Sequence, residues 1–173
     1  TVRSLEYMRE SGLANALQKA AVGGTQIYGV CGGMQMLGMS ISDPDSVESG
    51  GEAAGIGLLP LKTVLHKEKM VGQTTVKWIR GGEVMGYEIH SGSTTVDGDL
   101  VPILGDSKGW QKGNITGVCV HGLFADTAYR QYFLERLGWR GKTFDWNARI
   151  ESELDKVASL ITVSGWNCHL DSY

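Results

Sequence analysis

Apolar residues recur at helical spacing from the start of the chain: Leu5 and Met8, then Leu13, Ala16, Leu17 and Ala20, on either side of Ser11-Gly12. The pattern predicts two short helices, with Ser11 capping the second and Gly23-Gly24 ending it. At Gln26–Val30 the run becomes β-forming, and a helix is expected over about Gly33–Met39. From Ser42 to Gly57 the chain is rich in Gly, Ser and Asp and reads as a surface loop. Leu58–Leu65, Val71–Ile79 and Val84–Ile89 read as strands, with turns at Gly81-Gly82 and Ser91-Gly92. Gly113–Val120 is a further strand that ends at His121-Gly122. Thr127–Leu137 has an amphipathic helix pattern closed by Gly138, and Glu151–Ile161 carries Leu154, Val157, Ala158 and Ile161 on one face. Helix, strand and helix in this order predict one α/β domain over residues 1–173, built on a mostly parallel sheet with helices packed on it.

Composition narrows the functional classes more than it names one. The chain has 173 residues and a formal net charge of −3, so no basic surface for nucleic acid or an anionic membrane is implied. No apolar run is long enough to span a bilayer and no signal-peptide pattern opens the chain, so a cytoplasmic location is expected. Cys31, Cys119 and Cys168 are too few and scattered for a disulfide framework, and none belongs to a C-x-x-C pair, so no metal site is expected. Twenty-five glycines against three prolines imply many tight turns. No methionine precedes Thr1, and the chain reads as a fragment of a longer polypeptide.

The stretch Ile27-Tyr28-Gly29-Val30-Cys31-Gly32-Gly33-Met34-Gln35 concentrates the chemistry. A β-forming run meets a cysteine framed by glycines, and helix formers follow at once, which is the layout of a nucleophile elbow. Gly29 and Gly33 leave room where a Cβ would clash with the neighbouring strand and helix. A thiol at that helix N-terminus is expected to be favoured as thiolate by the dipole and by unpaired N–H groups. Such a nucleophile needs a base. Of His66, His90, His121 and His169, His121 is the first choice, because it ends an apolar strand where ligands bind in open α/β sheets. His90 ends another strand and is a second candidate for the same cleft. His66 and His169 read as surface residues, and Cys119 and Cys168 as small buried hydrophobes.

Three segments carry a family resemblance. Gly29-Val30-Cys31-Gly32-Gly33-Met34-Gln35 resembles the G-x-C-x-G-x-Q elbow of class I glutamine amidotransferases. With Gly86-Tyr87-Glu88-Ile89-His90-Ser91-Gly92 and Val120-His121-Gly122-Leu123-Phe124 it is similar to the cobyric acid synthase subgroup, and Arg9-Glu10-Ser11-Gly12-Leu13 matches that group's preceding helix. Cobyrinate a,c-diamide synthases carry similar elbows, but the Tyr87–His90 run fits the first subgroup better. The resemblance implies a flavodoxin-like α/β sheet with helices on both faces, and a glutaminase that passes ammonia to a synthetase domain. That domain would use ATP and magnesium to amidate corrinoid carboxylates in cobalamin synthesis. It implies Cys31 as nucleophile, His121 as base, the Gly32 N–H as half of an oxyanion hole and Gln35 as the elbow glutamine. Ile89, His90 and Ser91 fall where relatives hold glutamine along a strand edge.

Two departures from the pattern alter what is expected. The glutamate that usually follows the histidine by two residues is Leu123, so a Cys–His dyad is expected, with Glu88 as a possible orienting carboxylate for an imidazole. The family's upstream strand, glycine-containing oxyanion loop and synthetase domain fall outside these 173 residues, so this piece alone is expected to be inactive. No P-loop pattern occurs in the chain, and no cofactor is expected in this domain. Two rival classes remain open: a cysteine hydrolase or acyltransferase acting on another substrate, and a non-catalytic docking domain that keeps the fold.

Overall fold

The computed structural model describes residues 1–163. They fall into two compact units, Thr1–Leu123 and a second that begins at Phe124. Among the described residues no helix is long and apolar enough to cross a membrane.

The first unit opens with α1 (Val2–Glu10) and α2 (Leu13–Val22), then β1 (Ile27–Val30) and α3 (Gly32–Leu37). Six more short or medium elements follow a different plan from the one expected: β2 (Ser40–Asp43), β3 (Gly51–Ala54), β4 (Leu61–Lys77), β5 (Glu83–Val96), β6 (Val101–Leu104) and β7 (Gly109–Lys112). The last strand is β8 (Ile115–Val118). Two four-stranded sheets result, in the orders β1-β8-β7-β6 and β3-β2-β4-β5. The α/β class is as expected, but among the described residues parallel pairing is confined to β1 with β8 and β2 with β4. Leu5, Ile41, Leu59, Leu61 and Val118 are fully buried in this unit.

Four local expectations are corrected. Ser11 does not cap α2; its hydroxyl donates back to the Tyr7 carbonyl at 2.7 Å, and Gly12, at φ 79°, is the residue that starts α2. A left-handed turn is needed between the two helices, and glycine takes it without a Cβ penalty. Ser42–Gly57 is not simply a loop, because β2 and β3 lie within it. Asp43 organises the intervening turn: its buried carboxylate accepts backbone N–H groups from Val47, Glu48, Ser49 and Gly50 at 2.7–3.0 Å. Burial alone would push its pKa up, but these four donors outweigh it and hold the carboxyl below its ordinary value.

The turn expected at Ser91-Gly92 is also absent. Leu58–Leu65 and Val71–Ile79 belong largely to the single strand β4, which pairs with β5 as one long hairpin. Its turn is the Gly81-Gly82 one, as expected. The sequence break is a bulge: pairing shifts register between Val64 and Lys69. Gly92 faces it at φ 92°, with the Val64 carbonyl against the space a Cβ would need. Strands β6 and β7 are too short to show a two-residue period, and Pro102 sits in β6 at the sheet edge, where its missing N–H costs no ladder bond.

The second unit holds α4 (Thr127–Arg136) and α5 (Trp146–Val163). Asp126 caps α4 through the Tyr129 N–H at 2.8 Å, and Gly138 follows at φ 90°, as expected of a C-terminal glycine. The second helix starts five residues earlier than its apolar pattern, at Trp146 rather than Glu151, because Asp145 caps it through the Ala148 N–H at 3.0 Å. Its Leu154, Val157 and Ile161 face is exposed.

Candidate active site

Cys31 follows the last residue of β1 and is the cap of α3, with φ 51° and ψ −114°. A non-glycine residue in that conformation costs on the order of 1–3 kcal/mol and persists only where the surroundings impose it. The impositions are visible. Cys31 N–H donates to the Val118 carbonyl at 2.8 Å, continuing the β1–β8 ladder, and the Cys31 carbonyl accepts from Gln35 N–H at 3.1 Å. Gly29 is required below the elbow, since a Cβ there would lie 2.6 Å from the Leu37 side chain and 2.8 Å from the Gly33 backbone. Gly33 is not required in that way; its Cβ would meet nothing within 4 Å.

Because β1 and β8 pair in parallel, Cys31 and His121 leave the C-terminal ends of adjacent strands. Strand β5 then ties the two together. As the edge strand of its sheet it has a free side. Tyr87 N–H donates to the His121 carbonyl at 3.1 Å, and the Tyr87 carbonyl accepts from His121 N–H at 2.8 Å. Two residues on, the Ile89 carbonyl accepts the Cys31 thiol at 3.3 Å. Residues two apart in a strand present their backbone groups to the same side, so one strand edge serves both groups. Gly86 allows the approach: a Cβ there would strike the His121 carbonyl and the Val120 side chain.

The His121 ring is stacked on the Tyr87 ring, with centroids 5.1 Å apart and planes 8° apart. Its Nε2 is buried with no hydrogen-bond partner among the described residues. Leu123, standing where a carboxylate was looked for, is buried. Glu88 does not reach His121 in this structure. It holds the other imidazole, with His90 Nε2 at 3.1 Å, and pairs with Lys108 Nζ at 2.8 and 2.7 Å. Burial would raise the Glu88 pKa, but Lys108 and His90 hold the carboxyl below its ordinary value.

A cleft of about 80 Å³ opens beside Cys31, lined among others by Gln35, Glu88, His90, Lys108 and Cys119. Ile89, Ser91 and His121 do not line it. Of the residues singled out from sequence, Cys31, Gln35, Glu88 and His90 therefore share one cleft, while His121 reaches Cys31's surroundings through the edge of β5. Ser91 stays in the β4–β5 ladder opposite Lys69, and His66 hydrogen-bonds Ser93 at 3.1 Å on the exposed bulge. Cys168 and His169 lie outside the described residues. Lys108 and the cleft-facing position of Cys119 escaped the sequence reading. Lys108 precedes the unrecognised strand β7, and only the cross-sheet fold brings it to Glu88.

The thiolate expectation is corrected. Burial pushes the Cys31 thiol above its ordinary pKa, and the Gly32 N–H, which points at the sulfur, only partly offsets that. A helix of six residues is too short to overcome the desolvation. Cys119 is driven much further, to about 12, by burial and by the Glu88 charge. Glu88, His90 and Cys119 also place a carboxylate oxygen, a ring nitrogen and a sulfur within 4.8 Å of one another, a donor set that could hold a metal ion and that the cysteine spacing did not foretell. The Lys108 ammonium already sits on both Glu88 oxygens, where such an ion would bind.

A strained cysteine elbow, a nearby histidine and an edge strand that touches both thus come together in the first unit. Residues 1–129 match the family of CobB/CobQ-like glutamine amidotransferase domains, and the chain belongs to that family, with its class I glutamine amidotransferase-like fold. Within it the chain is similar to cobyric acid synthases. That of Halorhodospira halophila is 39% identical over 168 residues, covering 94% of this chain and 34% of the relative. That of Deinococcus radiodurans is 40% identical over 140 residues, covering 78% and 29%. That of Clostridium botulinum is 31% identical over 185 residues, covering 95% and 37%. The chain thus spans about a third of the length of the curated relatives it matches. A solved glutamine amidotransferase from Thermotoga maritima superimposes loosely, with a TM-score of 0.48 at 12% identity over 76% of this chain and 54% of that one.

Proposed function

We propose that this chain is the glutamine-hydrolysing part of a cobyric acid synthase, with Cys31 as nucleophile and His121 as general base. The observation that carries the reading is the strained Cys31 elbow whose sulfur meets the same β5 edge that grips His121. Because burial keeps Cys31 a thiol, its proton has to be taken at the moment of attack. The orphaned His121 Nε2 is the group free to take it.

The steps balance as follows. The Cys31 S–H proton passes to His121, and the sulfur adds to the γ-carboxamide carbon of glutamine. The resulting oxyanion faces the Gly32 N–H, which at rest lies on the sulfur. Collapse breaks the C–N bond, and the proton on His121 leaves with ammonia. Water, giving its proton to His121, then cleaves the γ-glutamyl thioester to glutamate and restores the thiol. Gln35 and His90 line the cleft in which the substrate lies, with the β5 edge at Ile89 and Ser91 beside it.

In the longer protein the ammonia would pass to a synthetase domain in the cytoplasm. That domain would bind ATP and magnesium, and amidate side-chain carboxylates of a corrinoid, adenosylcobyrinic acid a,c-diamide. A second oxyanion donor would come from a segment beyond the residues given, so we expect little glutaminase activity from this stretch alone. The test is glutamine-dependent amidation by the full-length enzyme. Cys31→Ala is expected to abolish it, by more than about a thousandfold, while ammonia-driven amidation continues. Glutamine-dependent activity surviving in Cys31→Ala would overturn the proposal.

A further inference from the structure

The Glu88–Lys108 pair is an unusual object to find inside a cleft of an otherwise ordinary sheet. The Glu88 side chain is 7% exposed and that of Lys108 24%, with Met34 and Trp110 among the cleft walls. Taking two charges out of water costs several kcal/mol per ion, and a well-packed apolar pair commonly does as well for stability. The pair therefore calls for a reason beyond folding. Its hydrogen bonds are also incomplete. The ammonium of Lys108 has three donors and gives two to Glu88, at 2.8 and 2.7 Å. Glu88 Oε1 accepts from Lys108, from His90 and weakly from the Cys119 thiol at 3.6 Å, whereas Oε2 accepts from Lys108 alone.

We infer that this ion pair recognises the α-amino-acid head of glutamine, with Lys108 holding the α-carboxylate and Glu88 Oε2 the α-ammonium. The inference rests on the glutaminase reading of Cys31, since it is the cleft beside that sulfur that the pair closes. Glutamine is a zwitterion joined through two methylenes to its reactive amide. An ion pair, neutral as a whole, presents the opposite dipole to such a head, so both substrate charges are met without leaving a net charge buried. A lone lysine would bind any carboxylate; the pair selects the zwitterion. His90 keeps Glu88 aimed into the cleft through its 3.1 Å bond.

The test uses the full-length enzyme and two amides: L-glutamine and 4-aminobutanamide, the same γ-amide without the α-carboxylate. Lys108→Met is expected to lower kcat/KM for L-glutamine about 10- to 100-fold, through KM, the worth of one charge-assisted hydrogen bond. For 4-aminobutanamide, which has no α-carboxylate, the variant should lose far less than it does on glutamine, and Lys108→Arg should recover most of the loss on glutamine. Equal losses on both amides, or an unchanged KM for glutamine, would overturn the inference. Should Lys108→Met fail to fold, the wild type decides alone: L-glutamine α-methyl ester is expected to show a KM raised about tenfold or more. An equal KM for ester and acid refutes the assignment. A wild type that hydrolyses no glutamine at all instead refutes the glutaminase reading, and that is seen before any variant is made.

Discussion

Cys31 and Cys119 line the same cleft, and almost everything else about them differs. Cys31 sits in a strained turn, half-buried, with its sulfur between the Gly32 N–H and the Ile89 carbonyl. Cys119 lies one residue past β8, buried, with its thiol on the Lys108 carbonyl at 3.3 Å and beside the Glu88 carboxylate. Both thiols are pushed up by burial and each is partly offset by a backbone N–H, that of Gly32 for Cys31 and its own for Cys119, but only Cys119 has an anion next to it. The difference shows that a glycine frame matters less for its effect on pKa than for where it puts the atom. The elbow leaves its sulfur half-buried on the β5 edge; the strand buries its own beside a carboxylate.

The sharpest way to break this contrast is alkylation. At pH 9 about one Cys119 in a thousand is thiolate if its pKa is about 12, so iodoacetamide is expected to label the more exposed Cys31 markedly faster. Mass spectrometry of the tryptic peptides reads the ratio. Comparable labelling of the two in the folded protein would remove the distinction.

Stability at high pH comes next. The folded-state pKa of Cys119 is raised, so its contribution is complete below the unfolded value of about 8.5 and is lost as pH rises toward about 12. In that window the unfolded chain sheds a proton that the folded chain keeps. The slope is about 1.4 kcal/mol per pH unit at most. Cys119→Ala should flatten it in urea titrations run between pH 8 and 10; an identical slope in the variant would show that other groups carry the alkaline loss.

The smallest expected effect concerns His121, the base proposed for Cys31. Tyr87 holds His121 by a ring stack and two backbone bonds, and only the stack depends on its side chain. Tyr87→Leu is expected to lower kcat about three- to tenfold, within the roughly 0.5–1.5 kcal/mol that aromatic pairs are worth, and Tyr87→Phe to leave it near wild type. A loss in Tyr87→Phe as large as in Tyr87→Leu would assign the effect to the hydroxyl instead.

The elements that announced themselves in the sequence are those whose signals are local. The first two helices follow a 3.6-residue apolar period, the Gly81-Gly82 hairpin follows turn chemistry, and the Cys31 elbow follows a glycine spacing set by contacts within about eight residues, such as Gly29 against Leu37. What stayed illegible carried no periodic signal of its own. Strands β6 and β7 have four residues each, too few to show a period, and exist because β8 offers an edge to β7 and β7 offers one to β6. The bulge at Val64–Lys69 looked like a turn because polar residues and glycine mark both.

The candidate site divides along the same line. Residue type and spacing alone determined that Cys31 is lifted at a strand-to-helix turn and that His121 ends a strand, because both are properties of a few neighbouring residues. Only the tertiary structure decided that Glu88 serves His90 and Lys108 rather than His121, that Cys119 faces the cleft, and that β5 joins thiol to imidazole. Apart from Glu88 with His90, those pairings link residues 20 or more positions apart, and their strength depends on burial. Burial is a property of the packed chain, which no stretch of sequence carries by itself.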